Sequence, residues 1–596
     1  MNRLRRGVAC AAFSLAASLI SATPSVAQQD TVRAPTDSTV VDSLATTDAE
    51  IPRVTVLPIG DPEVPIGPLT PGTRYSFTRD SLLWSGAVTL ADLLTRIPGV
   101  YVARAGFVGQ PEYIQYGGRG GNALEIYWDG VRWEALGGDT LFVDAGTFPL
   151  TYLRRVDVEV QPARLRVFLV SERHELLDVR SKVRVEQGAF KTARYTALFQ
   201  KRARNGVSVD LAAQFVGTDG PSKTAGSDAF DVWAKLGWSP NGKVGATYQI
   251  RRQDIDRDPL NGIPARMGTR ADYQLGLYAG TRADGMGLRA RGGVVTSTWS
   301  ADSGSDLTNQ SLQHAYAALR YRRASWSVEA LGRIADQRTP YSLEARAGWV
   351  PIRGVVISGD ARWQQHEGDR ESTEIHGAAG LYLGPLYVAG EMALGEAVQT
   401  PALPFDTAQR TVDRAVRAGI RTKWLSGQFS LVRRDAYDPR PYPELMGPIP
   451  ALGSVPATTY LVAEATVRPV SALALSGWFA DPSGGEPSDL QPPQHWRAAL
   501  TLRSKFWRTF RSGAFDLRAQ IAVESWGAGT AGQSETGSAI ALPSATFWEM
   551  HLEIQLVDFT AFWSLRNARL SDAEFVPGLT YPGNGQLFGA SWVFAN

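Results

Sequence analysis

The stretch NGVSVDLAAQFV, residues 205–216, sets Val207, Val209, Leu211, Ala213 and Phe215 against Ser208, Asp210, Ala212 and Gln214. Side chains that recur every second residue share one face of a β-strand, so this segment has an oily face and a wet one. GVVISGDARWQ (354–364) repeats the pattern, with Val355, Ile357, Ala361 and Trp363 opposite Ser358, Asp360, Arg362 and Gln364. So do GAFDLRAQIAVES (513–525) and HWRAALTLRSKFW (495–507). Strands of soluble sandwiches usually have about five or six residues, whereas these run to about ten to thirteen, the length that crosses a bilayer at a tilt of about 45°.

From Lys182 to the C-terminus about twenty-two such segments follow one another, an even number within the range of single-chain outer-membrane barrels. Short joins at 239–242, 426–427, 468–471 and 557–558 alternate with longer polar ones at 254–268, 397–410, 439–456, 527–543 and 571–584. That alternation is the pattern of periplasmic turns and extracellular loops. The last strand, LFGASWVFAN, puts Phe588, Ala590, Trp592 and Phe594 on one face, with aromatic rings where an interface girdle belongs. An unpaired strand edge in lipid leaves backbone groups without partners, so the sheet must close. The expected fold is a transmembrane β-barrel of about 22 antiparallel strands over residues 180–596, with a small α+β plug domain inside its lumen.

Residues 1–27 read as a signal peptide, with three early arginines, an apolar run from Val8 to Ile20 and Ser25-Val26-Ala27 at the cleavage position. The one cysteine, Cys10, falls inside it, so no disulfide framework is expected. Sixty-one basic residues against fifty-nine acidic ones leave a net charge of +2, which argues against nucleic acid as a partner. Only eight of those cations are lysine, and an excess of arginine suits fixed bidentate pairing with carboxylates or phosphates. Six scattered histidines form no Ser/His/Asp set, and only the unspecific QQHEGD offers anything like metal-ligand spacing, so no enzyme, metal site or cofactor is expected.

A lumen this wide leaks unless something fills it, and residues 80–175 are the candidate filler. Apolar positions 90, 93, 94 and 97 form one helical stripe that Pro98 and Gly99 stop. Asp129-Gly130, between LEIYW and VRW, is a hairpin turn. In order, LADLLTRIPGVYV, IQYGGRGGNALEIYWDGVRW, FPLTYLRRVDVEVQP and LRVFLVSER resemble the plug domain of TonB-dependent outer-membrane receptors. That family has a short helix ending in Pro-Gly (here Pro98, Gly99), a strand ending in Arg-Gly (Arg119, Gly120) and a strand carrying Asp-Gly-Val (Asp129, Gly130). The alternative is a periplasmic module beside the barrel. One departure stands out: after the strand Arg-Val-Asp-Val-Glu-Val the family has Gly-Pro, a Tyr-Gly turn and a Gly-Gly pair, whereas here Gln161 replaces the glycine and the turn is deleted, VEVQP running through Ala163 almost directly into RLRVFLVS. This shortening is expected to loosen the seating of the plug.

The resemblance implies a receptor in the bacterial outer membrane that imports a scarce solute by energy-coupled plug rearrangement. Its partners would be a TonB-type energy transducer in the periplasm, outer-membrane lipid and a small solute. The linker 28–79 holds Arg53, Val54, Thr55, Val56 and Leu57, which either pair with a TonB strand or lead into the plug. The family's ligand-contacting apical loops fall on 103–113 and 133–142, giving Arg104, Gln110, Tyr113, Trp133, Glu134 and Asp139 as ligand contacts, unless these loops only cap a wet lumen. The alternatives in function are a passive or partly plugged channel or surface-binding barrel without energy coupling and, behind it, an outer-membrane barrel hydrolase.

Overall fold

The computed structural model describes residues 69–595, apart from 84, 138–140, 222–224, 302–308, 485–487, 508, 569–573 and 584. The stretch expected to be a signal peptide, Arg53 to Leu57 and Asp139 therefore lie outside the described residues.

Twenty-two antiparallel strands, beginning with Val179–Gly188 and ending with Gly585–Ala595, form one closed sheet. The last strand pairs with the first, from Leu587 opposite Gly188 to Ala595 opposite Arg180, so no edge is left for lipid to meet. The alternation sorts side chains by solvent. Along Val207–Thr218, Val207, Leu211 and Phe215 are 39, 42 and 36% exposed, while Ser208 and Asp210 keep 8 and 2%. Oily residues thus face outward and charged ones inward, the reverse of a soluble barrel and the arrangement a lipid solvent requires. Trp592 and Phe594 stack on the outer face at 5.5 Å.

The turn expected at Ser426-Gly427 sits three residues earlier, at 422–424, because the Thr422 hydroxyl accepts from the backbone N–H of Trp424 and Leu425 and closes the reversal there. Ser426 and Gly427 belong to the strand Leu425–Arg434. At the opposite rim, two long loops build hairpins of their own, Gly529–Gln533 with Ala539–Leu542 and Glu574–Val576 with Leu579–Thr580. By the rule of short periplasmic turns and longer outer loops, that rim faces the cell exterior.

Seven strands precede the barrel: β1 (Arg74–Thr78), β2 (Tyr101–Arg104), β3 (Glu112–Gln115), β4 (Leu124–Trp128), β5 (Val131–Arg132), β6 (Leu153–Gln161) and β7 (Arg164–Ser171). Five form a sheet in the order β1-β6-β7-β4-β5, with β4 parallel to β7, and β2 pairs with β3 alone. β1 falls within the stretch read from sequence as linker. Its RYSFT carries too little apolar pattern to announce a strand, and it is ordered by pairing with β6.

The helix Leu90–Leu94 begins with a capping box, in which the Thr89 hydroxyl accepts from the Asp92 N–H and the Asp92 carboxylate accepts from the Thr89 N–H. Leu90, Leu93, Leu94 and Ile97 are fully buried. Gly99, at φ +77°, carries the chain out of the helix in a conformation other residues adopt only with strain. The core around this helix takes in Leu198, Ala212 and Trp233 from the barrel wall. Trp233 lies parallel to Tyr152 at 6.1 Å, and the Tyr152 hydroxyl donates to the Asp231 carbonyl. The filler is therefore inside the bore and not beside the barrel.

Candidate functional site

The hairpin β2–β3 and the loop between its strands rise toward the outer rim, where Phe107 meets Phe190 edge to face at 4.7 Å. The second expected loop follows β5 to the same rim. There Arg338 donates to the Ala135 carbonyl at 2.6 Å, and a Cβ on Gly137 would strike the Trp299 ring. Both loops thus lie at the apex of the plug, as read from sequence, but the structure closes over one of them.

Tyr113 is 1% exposed and stacks on Tyr442 at 4.4 Å, and the Tyr442 hydroxyl donates to the Ile114 carbonyl. Tyr442 belongs to the proline-rich loop 435–457, which with Leu445, Ile449, Phe547 and Phe575 builds an apolar cap over β2 and β3. Arg257 and Arg266 pin the cap through Glu444, at 2.9 and 2.6 Å. Tyr113 is consequently not an exposed contact in this state. Sequence missed the cap because a loop of alternating prolines carries no strand or helix period.

Arg104 and Gln110 are buried at the side of this cap. Arg104 donates to Asp92 at 2.8 Å and to Glu112 at 2.5 Å, and Arg566 from the wall also reaches Asp92. Burial alone would raise both carboxyls. At Asp92 the Arg566 and Arg104 charges outweigh burial and hold the carboxyl well below its usual range, whereas at Glu112 burial prevails and pushes it up. Burial, then the neighbouring Glu444 charge, lift Asp144 to about 7. Around these groups lies a cavity of about 160 Å³, lined by Arg104, Gln110, Glu112, Asp144, Arg194 and Arg566 among others. Both polar atoms of the Gln110 amide are buried there without a hydrogen-bond partner among the described residues. A small polar solute would satisfy that amide, which gives the cavity the chemistry of a binding site.

Trp133 and Glu134 are half-buried and stand apart from Gln110. The Arg270 guanidinium lies 4.0 Å over the Trp133 ring, and Glu134 pairs with Arg333 at 2.6 Å. Burial opposes ionisation of Glu134, but Arg132 and Arg333 outweigh it and hold the carboxyl far below its usual range. These two residues brace the plug against the wall.

That bracing is general. Glu125 on β4 accepts from both terminal nitrogens of Arg362, at 2.5 and 2.9 Å, and from Arg166 Nε at 3.2 Å. Burial is opposed there by Arg362, Arg164 and Arg132, which keep the Glu125 carboxyl well below its usual range. Arg119 of the Arg-Gly motif reaches Asp413 at 2.5 Å and lies over the Tyr437 ring. Asp129, at φ +47° in its turn, accepts from the Ser171 N–H and pairs with Lys235 of the wall. The motif residues thus serve the seating of the plug as well as its turns. The shortened β6–β7 connection, Pro162-Ala163, is seated too: Arg434 Nε donates to the Pro162 carbonyl at 2.7 Å, and Arg164 pairs with Glu374. The looser seating expected from the missing turn is not found, because arginines on both sides of the gap bridge it. Among the described residues no group of three His, Cys, Asp or Glu side chains is placed to hold a metal ion.

Residues 69–166 match the model of the TonB-dependent Receptor Plug Domain. No curated protein matches the sequence. Solved structures do match the fold. A variant of the ferric enterobactin receptor of Pseudomonas aeruginosa shares 10% identity at a TM-score of 0.67, covering 88% of this chain and 99% of that one. The siderophore receptor PirA from Acinetobacter baumannii gives 10%, 0.64, 89% and 100% on the same measures. The FrpB iron transporter from Neisseria meningitidis gives 11%, 0.66, 88% and 99%.

Proposed function

We propose that this chain, a TonB-dependent outer-membrane receptor in its plug domain and in the fold of its 22-strand barrel, imports a scarce solute when a periplasmic energy transducer rearranges the plug. The observation that carries this reading is the nature of the plug's seating. The plug has an apolar core largely its own, but meets much of the wall through ion pairs such as Arg362 with Glu125, Lys235 with Asp129 and Arg119 with Asp413. Water can take over polar contacts of this kind as they part, whereas an apolar interface would resist separation. Such a plug can move without unfolding the barrel.

The solute enters, in this reading, beside the apical loops, with Arg104 and Gln110 at the cavity and Trp133 and Glu134 bracing the neighbouring loop. Tyr113 becomes available once the cap lifts. Arg53 to Leu57 would supply the strand that the transducer pairs with. The ligands that the structural neighbours are named for, ferric enterobactin, a siderophore and iron, are the first to screen. The test is uptake of a bound ligand by cells with and without the transducer. Deleting Arg53 to Leu57 should preserve surface binding and abolish uptake, and uptake that persists in both cases would refute energy coupling.

A further inference from the structure

The wall strands Ala408–Arg421 and Leu425–Arg434 rise from the short periplasmic turn at 422–424, and their outward positions are apolar as far as Val416 and Leu431, 59 and 46% exposed. The next outward position on each strand is an arginine. Arg414 and Arg433 are both exposed and stand directly opposite one another in the register. The second strand leaves the sheet at Arg434 for the outer loop 435–457, so the pair lies at the outer end of the apolar band.

Like charges directly opposite one another destabilise a sheet, and a charge on the lipid-facing side destabilises it again unless it is matched. Elsewhere on this face the chain supplies the match itself. Arg252 pairs with Asp254 at 3.1 Å, and Arg410, four residues above Arg414, stands opposite Glu396. Arg414 and Arg433, by contrast, make no hydrogen bond or ion pair among the described residues. On their other sides they face Met392 and Thr459, neither of which carries a charge. The carboxylate of Asp435, two residues beyond Arg433, is turned to the backbone N–H of Val412 and Ala436, at 3.1 and 3.0 Å.

Two guanidiniums side by side without a protein acceptor call for an anion, and their fork geometry matches phosphate. The surface they share looks outward to the membrane, at the level where the outer leaflet has its headgroups. We infer that Arg414 and Arg433 together bind the phosphate of a phosphorylated glycolipid of the outer leaflet, whose acyl chains lie along Met392, Val416, Phe429 and Leu431 below them. A phosphate between the two arginines turns one repulsion into two attractions. The site is on the outside of the wall, so it goes beyond the import reading and does not depend on it.

The test titrates lipid A, a phosphorylated glycolipid, into the purified full-length protein in detergent and counts bound lipid by native mass spectrometry, with folding checked by heat-modifiable mobility on gels. The native chain should bind it, and the double variant Arg414→Gln with Arg433→Gln should bind it about tenfold more weakly, for the loss of two charge-assisted contacts. Should the double variant fail to fold, each single variant should show part of that loss. Arg252→Gln, whose arginine already has Asp254, should bind lipid A as the native chain does. Lipid A stripped of its phosphates should bind the native chain no better than the intact lipid binds the double variant. Undiminished binding by the folded variants, an equal loss in Arg252→Gln, equal binding of the dephosphorylated lipid, or phosphatidylglycerol held at these residues as tightly as lipid A would each overturn the inference.

Discussion

Replacing Glu125 by glutamine should loosen the plug while leaving the barrel intact. The substitution keeps the volume of the side chain and removes a charge that three arginines share: Arg362 at 2.5 Å, and Arg164 and Arg166 at 3.2 Å each. Arg164 retains Glu374, and Arg166 retains Asp360. Arg362 fares worst: its nearest remaining carboxylates are Glu374 at 3.5 Å and Glu344 at 3.8 Å, and it keeps a hydrogen bond to the Tyr127 hydroxyl at 2.8 Å. Breaking one partner of a buried ion pair costs about 3–5 kcal/mol, and the surviving partners place this site near the lower end, about 3 kcal/mol. With a urea dependence of about 1–3 kcal/mol/M for a small domain, the plug midpoint should fall by about 1–3 M. A urea titration of the full chain, followed by hydrogen exchange in β4, β6 and β7 for the plug and by heat-modifiable gel mobility for the barrel, separates the two transitions. The double variant Glu125→Gln with Arg362→Gln should recover part of the loss, because it leaves no guanidinium short of a carboxylate. An unchanged plug midpoint in the single variant, or a barrel transition that falls with it, would refute the argument.

Two further outcomes follow from the same structure. Asp144, lifted to about 7 by burial and the Glu444 charge, binds its proton more tightly in the folded plug than in the unfolded chain, so its stabilising contribution is full at acid pH and is lost as pH rises through about 7. The lift amounts to about 4 kcal/mol at most, and Asp144→Asn should flatten this slope when urea midpoints at about pH 5 and about pH 8 are compared, an unaltered slope counting against it. Tyr442→Ala combined with Glu444→Gln removes the ring stacked on Tyr113 and the anchor of the cap, at a cost of about 3 kcal/mol for the ring alone. Hydrogen exchange in β2 and β3 should then accelerate, and protection equal to that of the native chain would mean that the loop does not shield them.

The barrel could be read from sequence because lipid imposes a strict rule: each strand shows one face to hydrocarbon, and Val207, Leu211 and Phe215 obey it without exception. The helix at Leu90 and the turn at Asp129-Gly130 were equally legible, since capping, proline and turn chemistry act over a few residues. What escaped was settled by partners far away in the chain. β1 takes its identity from β6, some eighty residues later, and the burial of Tyr113 depends on Tyr442. The surplus of arginine over lysine pointed to bidentate pairing in general, yet nothing in one sequence tells which carboxylate each guanidinium will find. Counting the residues missing after VEVQP gave the right deletion and the wrong consequence, because the count does not weigh Arg164 and Arg434 at its edges.

β1 runs across the bore instead of along it: Thr70, just ahead of it, touches Ser358, and Asp80, just behind it, touches Arg503 and Arg518 on a separate stretch of wall. A tug from below on the leading segment therefore meets the strand broadside, and its five rungs on β6 part singly, Arg74 from Glu159 first, instead of sharing the load. Mechanically this is a zip fastener and not a rivet. The chain after Ser171 stays leashed to the first wall strand, so whatever is drawn out has a fixed point to recoil toward.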